Sequence, residues 1–67
     1  MVSFSERLKE LREEKGLSLD KLAKALGLSD TTVCNWENGK HDIKSADLIK
    51  VAKFFSVPVE YLLGLSD

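Results

Sequence analysis

The feature that most narrows what this chain can fold into is a pair of short apolar stripes interrupted by Gly27-Leu28-Ser29. They lie within Leu17–Lys40, which reads LSLDKLAKALGLSDTTVCNWENGK. A glycine that can end one helix in the left-handed conformation, followed by a serine that can start another, predicts two helices joined by a tight turn. At about 100° of rotation per residue, Val33 and Trp36 share one side of the second helix. Asp30, Thr31, Cys34, Asn35 and Asn38 fall within an arc of roughly 140° on the other side. That outer stripe is short, polar and able to hydrogen-bond. A face that serves only solubility usually carries Lys and Glu, so this composition points to a surface that reads something outside the protein.

Length and composition bound the rest. Sixty-seven residues predict one small domain, residues 1–67, with room for only a marginal core. A single cysteine cannot close an internal disulfide, so a reducing, cytoplasmic setting is the default expectation. The N-terminal MVSFSERLKE places charges where a secretion signal needs an apolar run, and no stretch approaches membrane-spanning length. Ten Lys and Arg against eleven Asp and Glu leave a net charge of −1. That balance argues against any partner held by bulk positive charge, and Ser29–Lys44 is no more basic: Lys40 and Lys44 face Asp30, Glu37 and Asp42. A polyanion would have to be held by local placement, with modest affinity and a steep loss in salt.

Taken in order, Ser3 and Glu6 form a capping box that opens a first helix over Phe4–Lys15, with Phe4, Leu8 and Leu11 on its apolar face and Gly16 as its stop. Ser18 caps a second, with Asp20 suited to its positive end and Leu19, Leu22, Ala23 and Leu26 as its buried stripe. The small Ala23 permits a close crossing with the third helix, which starts after Ser29 and stops at Gly39. His41–Lys44 is a connection. Ser45 is the expected cap of a fourth helix whose Leu48, Ile49, Ala52 and Phe55 face inward. Pro58 fits the first position of a short fifth, where a missing N–H is harmless, with Val59, Leu62 and Leu63 as its apolar face and Gly64 as its end. Without any alternating strand pattern, the expected fold is all-α with five short helices, the second and third forming a helix-turn-helix.

Leu11-Arg12, Lys15-Gly16-Leu17-Ser18, Leu22-Ala23, Leu26-Gly27-Leu28-Ser29, Trp36-Glu37-Asn38-Gly39-Lys40 and the closing Val57-Pro58-Val59-Glu60-Tyr61-Leu62-Leu63-Gly64 together carry a family likeness. The chain resembles the phage-repressor and Cro type of helix-turn-helix regulator, the lambda-repressor-like or xenobiotic-response-element family, along nearly its whole length. The resemblance implies sequence-specific binding of double-stranded DNA by a transcriptional regulator, in repressor fashion, with residues 30–38 in the major groove and the second helix crossing the phosphates. It implies a homodimer, at least on DNA, on a two-fold related operator, and an Arg12–Glu37 ion pair tying the first helix to the end of the third. No cofactor, metal or small-molecule ligand is implied.

In that docking Asp30, Thr31 and Asn35, with Cys34 beside them, are the base-reading candidates. The Asn35 amide can pair bidentately with adenine, and Thr31 offers a hydroxyl and a methyl. Ser18, at the N-terminus of the second helix, and Thr32, Asn38, Lys40 and Lys44 are candidates for phosphate contacts, which position without reading. Two departures stand out. Leu19 occupies a position where relatives commonly carry a glutamine that contacts the backbone. Asp30 replaces a residue that is often Arg, Gln or Lys. A carboxylate in a phosphate-lined groove is repelled unless it accepts from cytosine N4, and Asp30 can equally serve the helix N-terminus.

The plainer readings are these. Trp36 belongs to the core, since it shares a face with Val33. Cys34 is a small packing or methyl-contacting residue, because no basic neighbour in sequence lowers its pKa. His41 lacks metal-binding partners, and Lys21 and Lys24 form a solvated face. No nucleophile–base pair, phosphate loop or metal cluster supports catalysis. The rival to DNA binding is a protein-interaction module on the same fold that has lost most DNA affinity, favoured by the acidic balance, Leu19 and Asp30.

Overall fold

The computed structural model describes residues 3–40 and 42–65. Among these residues the chain forms five helices and no strand, in the order α1 (Phe4–Glu14), α2 (Leu19–Leu26), α3 (Asp30–Glu37), α4 (Ser45–Phe55) and α5 (Val59–Leu62).

The starts of the first three helices follow from their serines. Ser3, Ser18 and Ser29 are all N-caps in extended conformation, and their hydroxyls accept from the N–H groups of Glu6, Lys21 and Thr32. The Ser3 hydroxyl also donates to the Glu6 carboxylate at 3.3 Å, a side-chain contact other than the carboxylate-to-backbone bond of a capping box. Two starts differ from expectation. Lys44, not Ser45, is the N-cap of α4 and makes no side-chain cap bond, because an ammonium group has no lone pair to offer an orphan N–H. Pro58 is the N-cap of α5 rather than its first residue; its missing N–H is harmless at either position. The first helix ends one residue early, at Glu14, with Lys15 as its cap.

Each helix sends one fully buried side chain to a common centre: Leu8, Leu22, Val33, Val51 and Leu62, all 0% exposed. Burying a side chain of this type is worth about 1.5–3 kcal/mol, so these residues are the main reason five short helices stay together. Leu11, Ala23, Leu26, Trp36, Ala52 and Phe55 extend that core. The inward face of α4 is corrected in one respect. Ile49 is 49% exposed, and Val51 takes the central place expected of it. Helical rotation explains the exchange, since Leu48, Val51, Ala52 and Phe55 cluster on one side while Ile49 lies about 100° from Leu48. Leu63, expected on the apolar face of α5, lies just beyond the helix and is exposed.

Side-chain contacts between helices brace the scaffold. Arg7 lies over the Tyr61 ring, 4.1 Å from its centroid, joining α1 to α5. Phe4 meets the Trp36 ring edge-on at 6.5 Å, joining α1 to α3. Lys50 Nζ donates to the Leu26 carbonyl at 3.3 Å, joining α4 to the end of α2. Among the described residues no helix is long and apolar enough to cross a membrane, and no acidic, cysteine or histidine cluster could hold a metal ion. His41 lies outside the described residues.

Candidate nucleic-acid interface

The corner between α2 and α3 sets the geometry of the site. Gly27 adopts φ +73°, the left-handed conformation, and the Leu28 N–H returns to the Ala23 carbonyl at 2.8 Å. This closes α2 and redirects the chain within Gly27-Leu28-Ser29. Ala23 is 1% exposed, so α3 passes where a larger side chain would hold it away. The two helices stand as a helix-turn-helix.

α3 is held from behind and left open in front. Val33 and Trp36 are buried, and the Trp36 carbonyl accepts from the Ser5 hydroxyl of α1 at 2.7 Å. The far end of α3 is fastened by Arg12, whose Nε donates to Glu37 Oε2 at 2.7 Å and whose Nη2 donates to Oε1 at 3.1 Å. The third Arg12 nitrogen, Nη1, donates to the Leu17 carbonyl at 2.8 Å, immediately before the Ser18 cap of α2. One guanidinium thus fixes the start of α2 and the end of α3 together. The side chains are only 14% and 7% exposed, so water screens the pair weakly. The hydrogen bond to Glu37 holds the Arg12 guanidinium above its ordinary value, outweighing the burial that lowers it.

On the open face Asp30 and Thr31 are exposed and Cys34 and Asn35 are half-buried. These four residues and Leu19 line one open depression of about 220 Å³ between the first turn of α2 and the outer side of α3. Asp30 is the first residue of α3, where its carboxylate sits at the positive end of the helix. Asp30 is therefore at the helix N-terminus and on the outer face of α3 at once. Asn38 is exposed, with its amide donating to Cys34 Sγ at 3.3 Å.

The phosphate candidates divide by availability. Ser18 accepts from Lys21 N–H at 3.1 Å, which leaves its own hydroxyl proton free to donate outward. Thr32 is half-buried and its hydroxyl lies 2.8 Å from that of Ser29. Only if Ser29 is the donor in that contact does Thr32 keep a proton for a phosphate. Lys40 follows Gly39 at the end of α3, where its N–H closes on the Asn35 carbonyl at 2.9 Å and its side chain is exposed. Lys44 is exposed at the start of α4. Lys24 is taken by Asp20, 3.3 Å away on the same face of α2.

Sequence reasoning misses three elements of the site. Leu19, expected in the buried stripe of α2, packs against the core but is only half-buried and also borders the outer face of α3. The Ser5 and Leu17 contacts also carry no sequence signal, because each ends on a backbone carbonyl, which every residue offers alike.

Comparison with known proteins agrees with this geometry. The helix-turn-helix family profile matches residues 8–62. The chain is 39% identical over 63 residues to the transcriptional activator BcrR of Enterococcus faecalis, covering 94% of this chain and 31% of that protein. It is 39% identical over 64 residues to the transcriptional repressor RghR of Bacillus subtilis, covering 94% of this chain and 47% of that protein. It thus spans less than half the length of either relative. The backbone matches that of the P22 c2 repressor, solved with a synthetic operator, with a TM-score of 0.90 over 98% of this chain and 100% of that one; at 21% identity this likeness concerns the fold. With the profile running from the core of α1 to the core of α5 and the recognition corner in place, the chain belongs to the helix-turn-helix family of the phage-repressor and Cro type.

Proposed function

We propose that this chain is the DNA-reading domain of a transcriptional regulator that binds duplex DNA with α3 in the major groove. The observation that carries the reading is the division of α3 into a locked inner face, Val33 and Trp36, and an uncovered outer face of short hydrogen-bonding side chains. Asn35 pairs with adenine, and Thr31 and Cys34 touch neighbouring base edges. Ser18, Asn38, Lys40 and Lys44 take phosphates, together with the N–H groups that begin α2. With a net charge of −1, binding depends on this placement and weakens quickly as salt rises. The site acts as a homodimer on a two-fold operator whose half-sites lie about one helical turn apart, and represses where that operator overlaps a promoter.

Selection from random duplex DNA, at low and at near-physiological salt, tests the proposal. Enrichment of a two-fold symmetric motif is the expected outcome. A folded domain that enriches nothing at either salt would transfer the function to protein interaction.

A further inference from the structure

The depression between α2 and α3 has a composition that base reading through hydrogen bonds does not explain. Asn35 and Asp30 supply polar groups, but Leu19, the Thr31 methyl and the Cys34 thiol supply an apolar wall beside them. Leu19 is the first residue of α2; half-buried, it packs against the edge of the core and lines the depression with the rest of its surface. A leucine there can neither donate to a phosphate nor accept from a base. It lowers the free energy of a complex only by meeting another apolar group. The major-groove edge of DNA presents one such group, the 5-methyl of thymine.

We propose that Leu19, Thr31 and Cys34 form a methyl-reading pocket that selects a 5-methylpyrimidine in each half-site, next to the base read by Asn35. The inference rests on the DNA-reading proposal above and adds the pocket's occupant. Two features favour this occupant. The pocket is continuous with the face that Asn35 shares. An adenine held by Asn35 also brings its paired or stacked thymine into the same groove within reach of α2. Asp30 at the rim adds selectivity of a second kind, because its carboxylate accepts from a cytosine N4 but opposes the O4 acceptor of thymine. A 5-methylcytosine would satisfy both groups where a thymine satisfies only Leu19.

The test uses duplexes enriched by the selection described above, with each thymine replaced singly by deoxyuridine and each cytosine by 5-methylcytosine. Deoxyuridine keeps every hydrogen-bonding group and lacks only the methyl. Binding should fall about fourfold at one position per half-site, the worth of one buried methyl, or 5-methylcytosine should raise it by a similar factor at that position. Leu19→Ala should erase most of this discrimination and Leu19→Met should retain it. Lys40→Ala should weaken binding while leaving the methyl preference intact. Because Leu19 is only half-buried, circular dichroism will show whether Leu19→Ala remains folded; Leu19→Gln, which exchanges the apolar wall for a polar chain of similar length, repeats the test. Tight binding with no position sensitive to the methyl would overturn the pocket and leave the DNA-reading proposal standing. An effect undiminished in Leu19→Ala and Leu19→Gln would also overturn it. Failure to bind any duplex would overturn both.

Discussion

Arg12 and Glu37 meet in a two-pronged ion pair, 2.7 and 3.1 Å long, and the same guanidinium reaches the Leu17 carbonyl at 2.8 Å. Glu37 is the last residue of α3, and Leu17 directly precedes the cap of α2. The two helix ends that flank the reading surface are therefore referenced to one side chain of α1. This is how a small core can present Asp30, Thr31, Cys34 and Asn35 in a defined arrangement; under the proposed function, little ordering would remain to oppose binding.

Loss of either partner strands a charge with little access to water. Arg12→Ala or Glu37→Ala is expected to lower stability by about 3 kcal/mol, a fall of roughly 12–24 °C in Tm for a domain of this size. The double variant Arg12→Met/Glu37→Leu should lose less than either single one, although the Leu17 carbonyl still lacks its donor. Thermal melts followed by circular dichroism measure both effects; single variants that melt with the parent would show that the pair contributes nothing. Arg12's pKa is raised, so its contribution is fully present below the unfolded value and is lost only as pH climbs through the folded one. Its titration should leave stability unchanged from neutral to mildly alkaline pH.

Asn35→Ala removes the one side chain on the depression able to pair bidentately with adenine. Sequence preference should relax at a single position per half-site, with a loss of about 1–3 kcal/mol. Competition binding with single-base permutations of the enriched motif is the measurement, and an unaltered preference profile would take Asn35 out of the readout.

Lys40→Ala should weaken binding to every duplex alike and reduce the slope of log K against log salt by about 0.9, the share of one phosphate. A titration across salt concentrations reads that slope directly. No change would assign Lys40 to the solvent.

Asp30→Gln removes a carboxylate from the rim of the groove while keeping an acceptor at the start of α3. Binding to unrelated duplexes should tighten, since like-charge repulsion of phosphates is relieved. Weaker binding confined to one cytosine-containing position would instead identify Asp30 as a reader of cytosine N4.

Two substitutions at left-handed positions should act in opposite directions. A Cβ added at Gly27 would meet nothing within 4 Å, so Gly27→Ala should cost about 1–2 kcal/mol through φ alone. Ser56 sits at φ 56° at the end of α4 with a side chain that this conformation disfavours. Ser56→Gly should stabilise by about 0.5 kcal/mol, the relief of strain less the entropy of a freer unfolded chain. Urea unfolding of the two variants checks both signs.

Local signals in the amino-acid order were enough to place all five helices, because caps, stops and apolar periodicity act over a few residues. Ser3, Ser18 and Ser29 accept N–H groups three positions away, and Gly27 and Gly39 close their helices within one turn. The division of α3 was equally legible: Val33 and Trp36 lie within one arc of the helix and Asp30, Thr31, Cys34 and Asn35 within another. Where periodicity was ambiguous it misled, as with Ile49 against Val51, because the width of the buried face depends on which helices arrive to cover it. Tertiary structure alone decided that Leu19 borders the outer face of α3, that Ser5 supports the Trp36 carbonyl, and that the Arg12 guanidinium, whose pairing with Glu37 the family resemblance implies, also takes the Leu17 carbonyl. The first two join atoms on separate helices, at distances that exist only after the helices cross, and the third depends on how α3 orients the Arg12 side chain, so no local pattern in the chain encodes them.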